Sequence, residues 1–507
     1  MAKRNKLIYR SALLLSFIGI NALILMGIGA VISYLNTGAD RSSILHLGVT
    51  LEQVYLPKTS WAPPAIEGRR IEQQTLLDIK EDYLRAWYVR AVALRNNDPY
   101  GLDDYYTESM RTKMKSLISQ NRLEDLTVNT TTLNHNLHLD FYSADGKVVS
   151  FTDSAVTGVH ELYQHEKLIH RYRDITTYRV VMLLEDGFWR IRHQEALKSK
   201  RSSKPKTTAQ VKWQGINRIS GINYYPKSQP WALFDTELDS TEIEQDLMII
   251  KENGLNTLRI FVPYPDFGKA SVATEKMERL VSFLNLADAH QLKVIVTLFD
   301  FYGDYSLPDW TLTHRHAEAM VQAIKGHPAL LAWDIKNEPD LDFESRGKDR
   351  VQDWLREMIN QVKSRDSLHP VTIGWSNPQD AELLHEEVDF VSFHYYQAPE
   401  KFQEGFNKLK KAVGNKEVLL EEFGYSSYSG LGNLFMGSEQ KQKRYYQEMI
   451  PVLKQENIHS LLWTLHDFEE IPDGVVGKLP WRKGQQKHFG LLRSDGTKKP
   501  AFDLIGQ

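Results

Sequence analysis

Leu330-Leu331-Ala332-Trp333-Asp334-Ile335-Lys336-Asn337-Glu338-Pro339 begins apolar and ends polar and acidic, and Val418-Leu419-Leu420-Glu421-Glu422-Phe423-Gly424 repeats that pattern further along. A short apolar run that turns acidic where it stops is the signature of a buried parallel strand whose end feeds a site. From Trp213 onward such runs recur at 216–225, 257–262, 293–299, 330–337, 371–375, 390–395, 418–422 and 460–465. Amphipathic spacing between them predicts helices over 241–253, 276–290, 316–324 and 348–364, the first opened by a capping box of Thr241 and Glu244. Eight strand–helix units within 213–507 predict an α/β fold of the (β/α)8, or TIM-barrel, type. A doubly wound open sheet is the alternative, and no glycine-rich phosphate loop follows an early strand to support it.

Barrel enzymes carry their chemistry at the C-terminal strand ends. Glu338 closes the fourth run and Glu422 the seventh, and those two strands face each other across a small barrel. Two carboxylates on opposite sides of one pocket suit glycosidic bond cleavage: one protonates the departing oxygen while the other meets the oxocarbenium-like carbon. Further residues stand at matching positions: Arg259 in Thr257-Leu258-Arg259-Ile260, His394 and Tyr396 in Phe393-His394-Tyr395-Tyr396, and Trp463 in Leu462-Trp463-Thr464. The tail runs Phe489-Gly490-Leu491-Leu492, Asp495-Gly496 and Lys499-Pro500-Ala501.

Together with Asn337-Glu338-Pro339 and Glu422-Phe423-Gly424, these motifs resemble the retaining (β/α)8 glycoside hydrolases with catalytic glutamates on strands four and seven. The closest likeness is to family five, the cellulase and β-mannanase group, over roughly residues 213–507. The resemblance implies that Glu338 is general acid and then general base, with a raised pKa, and that Glu422 is the nucleophile. Arg259 and Tyr396 would hold Glu422, Asn337 would bond the sugar 2-hydroxyl, His394 would bridge substrate or acid, and Trp463 would floor the sugar ring. Retention of configuration implies carboxyl groups about 5–5.5 Å apart. No metal and no cofactor is implied. Family members commonly place a histidine at the end of strand three, where this chain has Leu298-Phe299-Asp300.

Strand alternation aims Glu421 away from Glu422, into an ion pair or a helix contact. Loops after strands three and eight are rich in acids and rings, which suits a neutral oligo- or polysaccharide, and Asp300, Tyr302, Trp310 and Trp481 are the substrate-binding candidates there. A transglycosylase using the same carboxylates, and a glycan-binding scaffold that has lost catalysis, are competing functions. The intact set of Glu338, Glu422, Asn337, Arg259 and Tyr396 counts against the scaffold.

Upstream, residues 1–10 carry Lys3, Arg4, Lys6 and Arg10 without an acid, and 11–35 is almost wholly apolar. That pattern predicts a basic cytoplasmic tail, a single transmembrane anchor and an extracytoplasmic remainder, periplasmic or extracellular. A signal peptide cleaved near Thr37-Gly38-Ala39 is the alternative, with an apolar region longer than the roughly 7–15 residues usual for one. Residues 36–71, with Pro57, Pro63 and Pro64, read as a linker. Residues 72–197 read as a small α+β domain, with helices from Glu72 and over 102–118, then strands over 133–142, 147–157, 171–184 and 188–193. Two helices before a curved meander resemble the NTF2-like fold, and such a domain could dock an envelope partner. His160, His165 and His170 step by five residues, which alternates faces in a strand and disfavours a metal site. Residues 198–212 hold six Lys or Arg and no acid, and read as a basic linker.

Composition bounds the rest. The chain has 507 residues, 42% hydrophobic and 25% charged, which excludes a mainly disordered or polytopic membrane protein. A formal charge of −3 gives no field to recruit nucleic acid, and the absence of cysteine excludes disulfides, thiolate metal sites and a cysteine nucleophile.

Overall fold

Two hydrophobic patterns with different periods build two layers of architecture. The computed structural model describes residues 54–62, 70–201, 213, 216–235, 237–430, 437–476 and 479–505. The expected tail and anchor (1–35) lie outside the described residues, as do 202–212 of the basic linker. Among the described residues no helix is long and apolar enough to cross a membrane.

The first unit is α+β. Helices α1 (Gln73–Asn96) and α2 (Glu108–Leu123) pack on a sheet of β1 (Lys58–Trp61), β2 (Leu126–Thr132), β3 (Asn134–Tyr142), β4 (Val148–Gln164), β5 (Lys167–Glu185) and β6 (Phe188–Arg201). The sheet order is β1-β3-β4-β5-β6, with β2 pairing the outer half of β4. Its core is aromatic: Tyr83 lies edge-on to Phe151 at 5.0 Å, and Trp87 edge-on to Tyr178 at 5.5 Å. Two linker expectations are corrected here. Residues 58–61 form an edge strand parallel to β3, too short to show a period in sequence. Residues 198–201 continue β6 along β5, where Lys198 pairs Thr177 and Arg201 pairs Asp174, because cross-strand pairing carries a polar strand that lacks an apolar face. His160 and His170 stack on either side of Tyr172, at 4.6 and 5.6 Å, while His165 sits in the β4–β5 turn beside Asp125.

The second unit is the barrel. Strands β7 (Ser220–Asn223), β8 (Thr257–Pro263), β9 (Lys293–Asp300), β10 (Leu330–Asn337), β11 (Val371–Trp375), β12 (Val391–Tyr395), β13 (Val418–Phe423) and β14 (His459–Leu462) close in chain order, all parallel. The helices α3 (Ser240–Glu252), α4 (Thr274–Ala289), α5 (Trp310–Ile324), α6 (Lys348–Arg365), α7 (Phe402–Val413) and α8 (Glu439–Gln455) surround it. The open-sheet alternative falls, since β14 hydrogen-bonds to β7. The first strand is shorter than its apolar run because only 220–223 pairs with the neighbouring strands β14 and β8. Helix α3 is capped by Asp239, whose Oδ1 accepts the Glu242 N–H at 3.1 Å, so the Thr241–Glu244 box is two residues too late.

The small domain rests on the outer face of α5 and α6. Arg173 Nη1 pairs with Glu357 Oε2 at 2.5 Å, Arg171 pairs with Asp353, and Lys58 pairs with Glu318. The Leu56 N–H donates to Thr311 Oγ1 at 3.0 Å, and Arg315 Nε donates back to the Leu56 carbonyl at 3.0 Å.

Candidate active site

A parallel barrel aims alternate side chains inward, and at its upper layer those side chains are charged. Arg259 of β8 is fully buried and organises them. It donates to Glu422 Oε1 at 2.5 Å, Asp334 Oδ2 at 2.7 Å, Asn337 Oδ1 at 2.9 Å, Thr297 Oγ1 at 3.0 Å and Asn223 Oδ1 at 3.1 Å. Asp334 also accepts from Thr297 Oγ1 at 2.7 Å and from the Gly374 N–H at 2.9 Å. Gly374 is required there, because a Cβ would come within 2.8 Å of both Arg259 Nη2 and Glu421 Oε2.

Glu338 follows β10 at φ 46°, a left-handed conformation that costs a non-glycine residue roughly 1–3 kcal/mol and persists only when its surroundings hold it. Its N–H donates to the Gly374 carbonyl at 2.7 Å, and Pro339 starts the turn that follows. His394 Nδ1 meets Glu338 Oε1 at 2.9 Å and Glu422 Oε2 at 3.4 Å, and the Tyr396 hydroxyl donates to Glu422 Oε2 at 2.6 Å. Glu338, His394 and Glu422 each place an atom within 4.8 Å of the others. That separation belongs with the roughly 5–5.5 Å of a retaining pair, not with the 6.5–9.5 Å that leaves room for water between inverting carboxylates. The three could also embrace a cation. Each is already committed to a neighbour, and the Arg259 guanidinium on Glu422 opposes a second positive charge.

Glu421 corrects the alternation argument. The register runs Phe393 to Leu420 and then His394 to Glu422, so β13 carries one extra residue, and a bulge turns both glutamates to the interior. Glu421 lies fully buried 3.4 Å from Arg259 Nε, the ion-pair contact expected of it, but beside Glu422 and not facing away.

Electrostatics revise the expected acid. Burial pushes the Glu338 carboxyl up, but the hydrogen bond and charge of His394, with Arg259 and Lys336, outweigh burial and hold it below the usual glutamate range. Burial pulls His394 down, and Glu422 and Glu338 more than reverse that, leaving it above an ordinary histidine. Glu338 and His394 thus share one hydrogen bond in which each favours the charged form of the other. Asp300 is pushed up to about 6, chiefly by burial and against the pull of Lys336 and Arg259.

The site opens into a cleft that takes in Asn337, Glu338, Tyr396, Glu422, Trp463 and Asp300. Trp463 stands edge-on to Tyr225 at 5.6 Å. Two expected subsite residues are elsewhere. Tyr302 is buried behind β9, stacked on Trp354 at 4.5 Å with its hydroxyl on Asp309, and Trp310 is buried with its indole on the Tyr305 carbonyl. Both belong to the barrel–helix core, because the chain turns inward after Asp300. Trp481 is 48% exposed and does not line the cleft. Residues that sequence reasoning passed over supply much of the wall: Tyr225, Trp231, Phe301, Val476, Arg482 and Phe489. Tyr225, Trp231, Phe301 and Phe489 stand on loops without periodicity, and Val476 and Arg482 on helices of four and seven residues, too short to show one. Phe301, next to Asp300 and 45% exposed, carried the one readable signal.

An eight-stranded parallel barrel with paired carboxylates where strands four and seven end defines the class of barrel glycoside hydrolases. Residues 210–469 match the cellulase family (glycosyl hydrolase family 5), and the chain belongs to that family. Among curated relatives it is 26% identical over 216 residues to mannan endo-1,4-beta-mannosidase 2 of Arabidopsis thaliana, covering 34% of this chain and 48% of that protein. It is 24% identical over 299 residues to human beta-glucuronidase, covering 52% and 40%. The chain therefore spans about half or less of the length of these two relatives. A solved structure of GH5_18 from Streptomyces cattleya in complex with GlcNAc superposes with a TM-score of 0.46 at 16% identity, over 57% of this chain and 80% of that one.

Proposed function

We propose that this chain is a retaining glycoside hydrolase that cleaves β-linked glycans by double displacement. The observation that carries the reading is the approach of Glu338 and Glu422 to within 4.8 Å at the floor of an open, aromatic-walled cleft. Glu422, fixed by Arg259 and Tyr396, attacks the anomeric carbon while Glu338 passes a proton to the leaving oxygen. Water then enters on the Glu338 side, gives its proton to Glu338, and releases the sugar from Glu422. Asn337, oriented by Arg259, is placed for the 2-hydroxyl, and Trp463 with Tyr225 and Phe489 offers ring faces and edges to the sugar.

The mannan-cleaving relatives support a β-mannoside or similar β-linked hexoside as substrate. The apolar segment 11–35 behind a basic tail supports anchoring of the chain with its barrel outside the cytoplasm. The small domain, held to the back of the barrel by α5 and α6, would then be a spacer or docking unit for envelope work.

The decisive experiment is incubation with a panel of 2-deoxy-2-fluoro aryl β-glycosides followed by peptide mass mapping. A glycosyl adduct on Glu422 supports the mechanism and names the glycone. An adduct elsewhere, with Glu422 replaceable without loss of turnover, refutes it.

A further inference from the structure

The bulge in β13 buries one acid for which double displacement has no use. Neither carboxyl oxygen of Glu421 has a hydrogen-bond partner among the described residues, and neither does His394 Nε2. The two groups face each other at 4.0 Å, while the other ring nitrogen of His394 bonds Glu338. The charged groups around Glu421 are Arg259 from β8, Asp334 from β10, His394 from β12 and Glu422 from its own strand. At this level β7, β9 and β11 present the neutral Asn223, Thr297 and Gly374.

Three carboxylates thus surround one guanidinium in a buried layer, and Arg259 with the proton shared by His394 and Glu338 does not balance these three and Glu338 together. Hydrogen bonds decide which acid keeps its proton. Asp334 accepts from Arg259, Thr297 and Gly374, and Glu422 accepts from Arg259 and Tyr396. Glu421 accepts a hydrogen bond from none of the described residues, and Arg259 Nε, 3.4 Å from it, donates to Thr297 instead. Resting on the glycosidase reading above, we propose that Glu421 is a positioning residue held as a neutral carboxylic acid, and that its neutrality keeps the proton shared by His394 and Glu338 available to Glu338.

The charge balance supports this role. Burial pushes Glu421 up to about 8, against the pull of Arg259. While Glu421 is neutral, His394 Nδ1 can return its proton to Glu338 Oε1, leaving a neutral imidazole beside a neutral acid. When Glu421 loses its proton to bulk water, the new carboxylate faces His394 Nε2–H. It then stabilises the imidazolium, so the proton stays on His394 and Glu338 remains an anion unable to protonate a leaving group. Ionisation of Glu421 therefore shapes the alkaline limb of activity without Glu421 touching substrate.

Two measurements on the full chain test this. The first needs no substrate: infrared difference spectra across a pH titration should show a protonated carboxyl that titrates last among the carboxyls of the wild type, and that is missing from Glu421→Gln. A wild type with no such late-titrating carboxyl overturns the proposal, even where the variant fails to fold. The second is the pH profile of kcat/KM on an aryl β-glycoside that the wild type turns over. Glu421→Gln should keep near wild-type rates on the acid side and move the alkaline limb up by about one pH unit or more, as expected for losing a charge that near an imidazole. An unmoved alkaline limb in a folded variant overturns the proposal. Absence of turnover on every glycoside would instead count against the glycosidase reading and leave the infrared result to decide the state of Glu421.

Discussion

Arg259→Met removes the one cation that Asp334 and Glu422 share in the barrel interior. Each of those contacts is a charge-assisted hydrogen bond, at 2.7 and 2.5 Å, and both carboxylates are buried, Glu422 at the floor of the cleft. Removing one partner of a buried pair leaves the other charge uncompensated, at a cost of about 3–5 kcal/mol. The neutral contacts to Thr297, Asn223 and Asn337 each add up to roughly 1 kcal/mol. The loss at neutral pH should therefore be about 3–8 kcal/mol, a large part of an ordinary domain's stability. Urea unfolding at neutral pH, followed by tryptophan fluorescence, should show that deficit as a lower midpoint. A variant within about 1 kcal/mol of wild type would refute the claim that Arg259 compensates two buried anions.

Three further outcomes are expected. Glu338→Gln should lower kcat/KM on glycosides with poor leaving groups by about 10²–10⁴-fold while sparing kcat/KM on aryl glycosides whose leaving group needs no proton, their kcat falling because the glycosyl-enzyme lacks its base, and an equal loss of kcat/KM on both would argue against an acid role. Tyr396→Phe removes the 2.6 Å hydrogen bond to Glu422 and should lower kcat/KM by about 10–100-fold, read in steady-state kinetics, with little change in melting temperature. At the domain contact, burial would push Glu357 up, but His314, Arg173 and Gln361 together hold it at about 2. That shift stabilises the fold above the ordinary glutamate pKa and is lost as pH falls from there towards 2, so Glu357→Gln should cost about 3 kcal/mol at neutral pH and much less in acid. Denaturation profiles of the two proteins that stay parallel down to the acid transition would contradict it.

Much of the site could be read before any fold was known, because the residues of β8, β10, β12 and β13 that meet at Arg259 stand in short motifs at strand ends. The α+β character of the 72–197 segment was legible from its change of period. The lining of the cleft was not. Tyr302 and Trp310 share composition with Phe301 and Trp231, and only the path of the backbone after Asp300 sends the first pair into the core and the second to the cleft. Likewise 58–61 and 198–201 carry no apolar period, and their strands exist because neighbouring strands supply the pairing.

The amino-acid order by itself determined that eight buried strands alternate with amphipathic helices and that acids stand where two of those strands stop. Local hydrophobic periodicity fixes such features without reference to distant residues. Whether Glu421 turns outward or joins Glu422, and which charges act on the proton between Glu338 and His394, only the closed barrel decided. A bulge is a mismatch between two strands, and a proton's position is a sum over charges brought together from β8, β10, β12 and β13. Neither quantity exists until those strands are side by side.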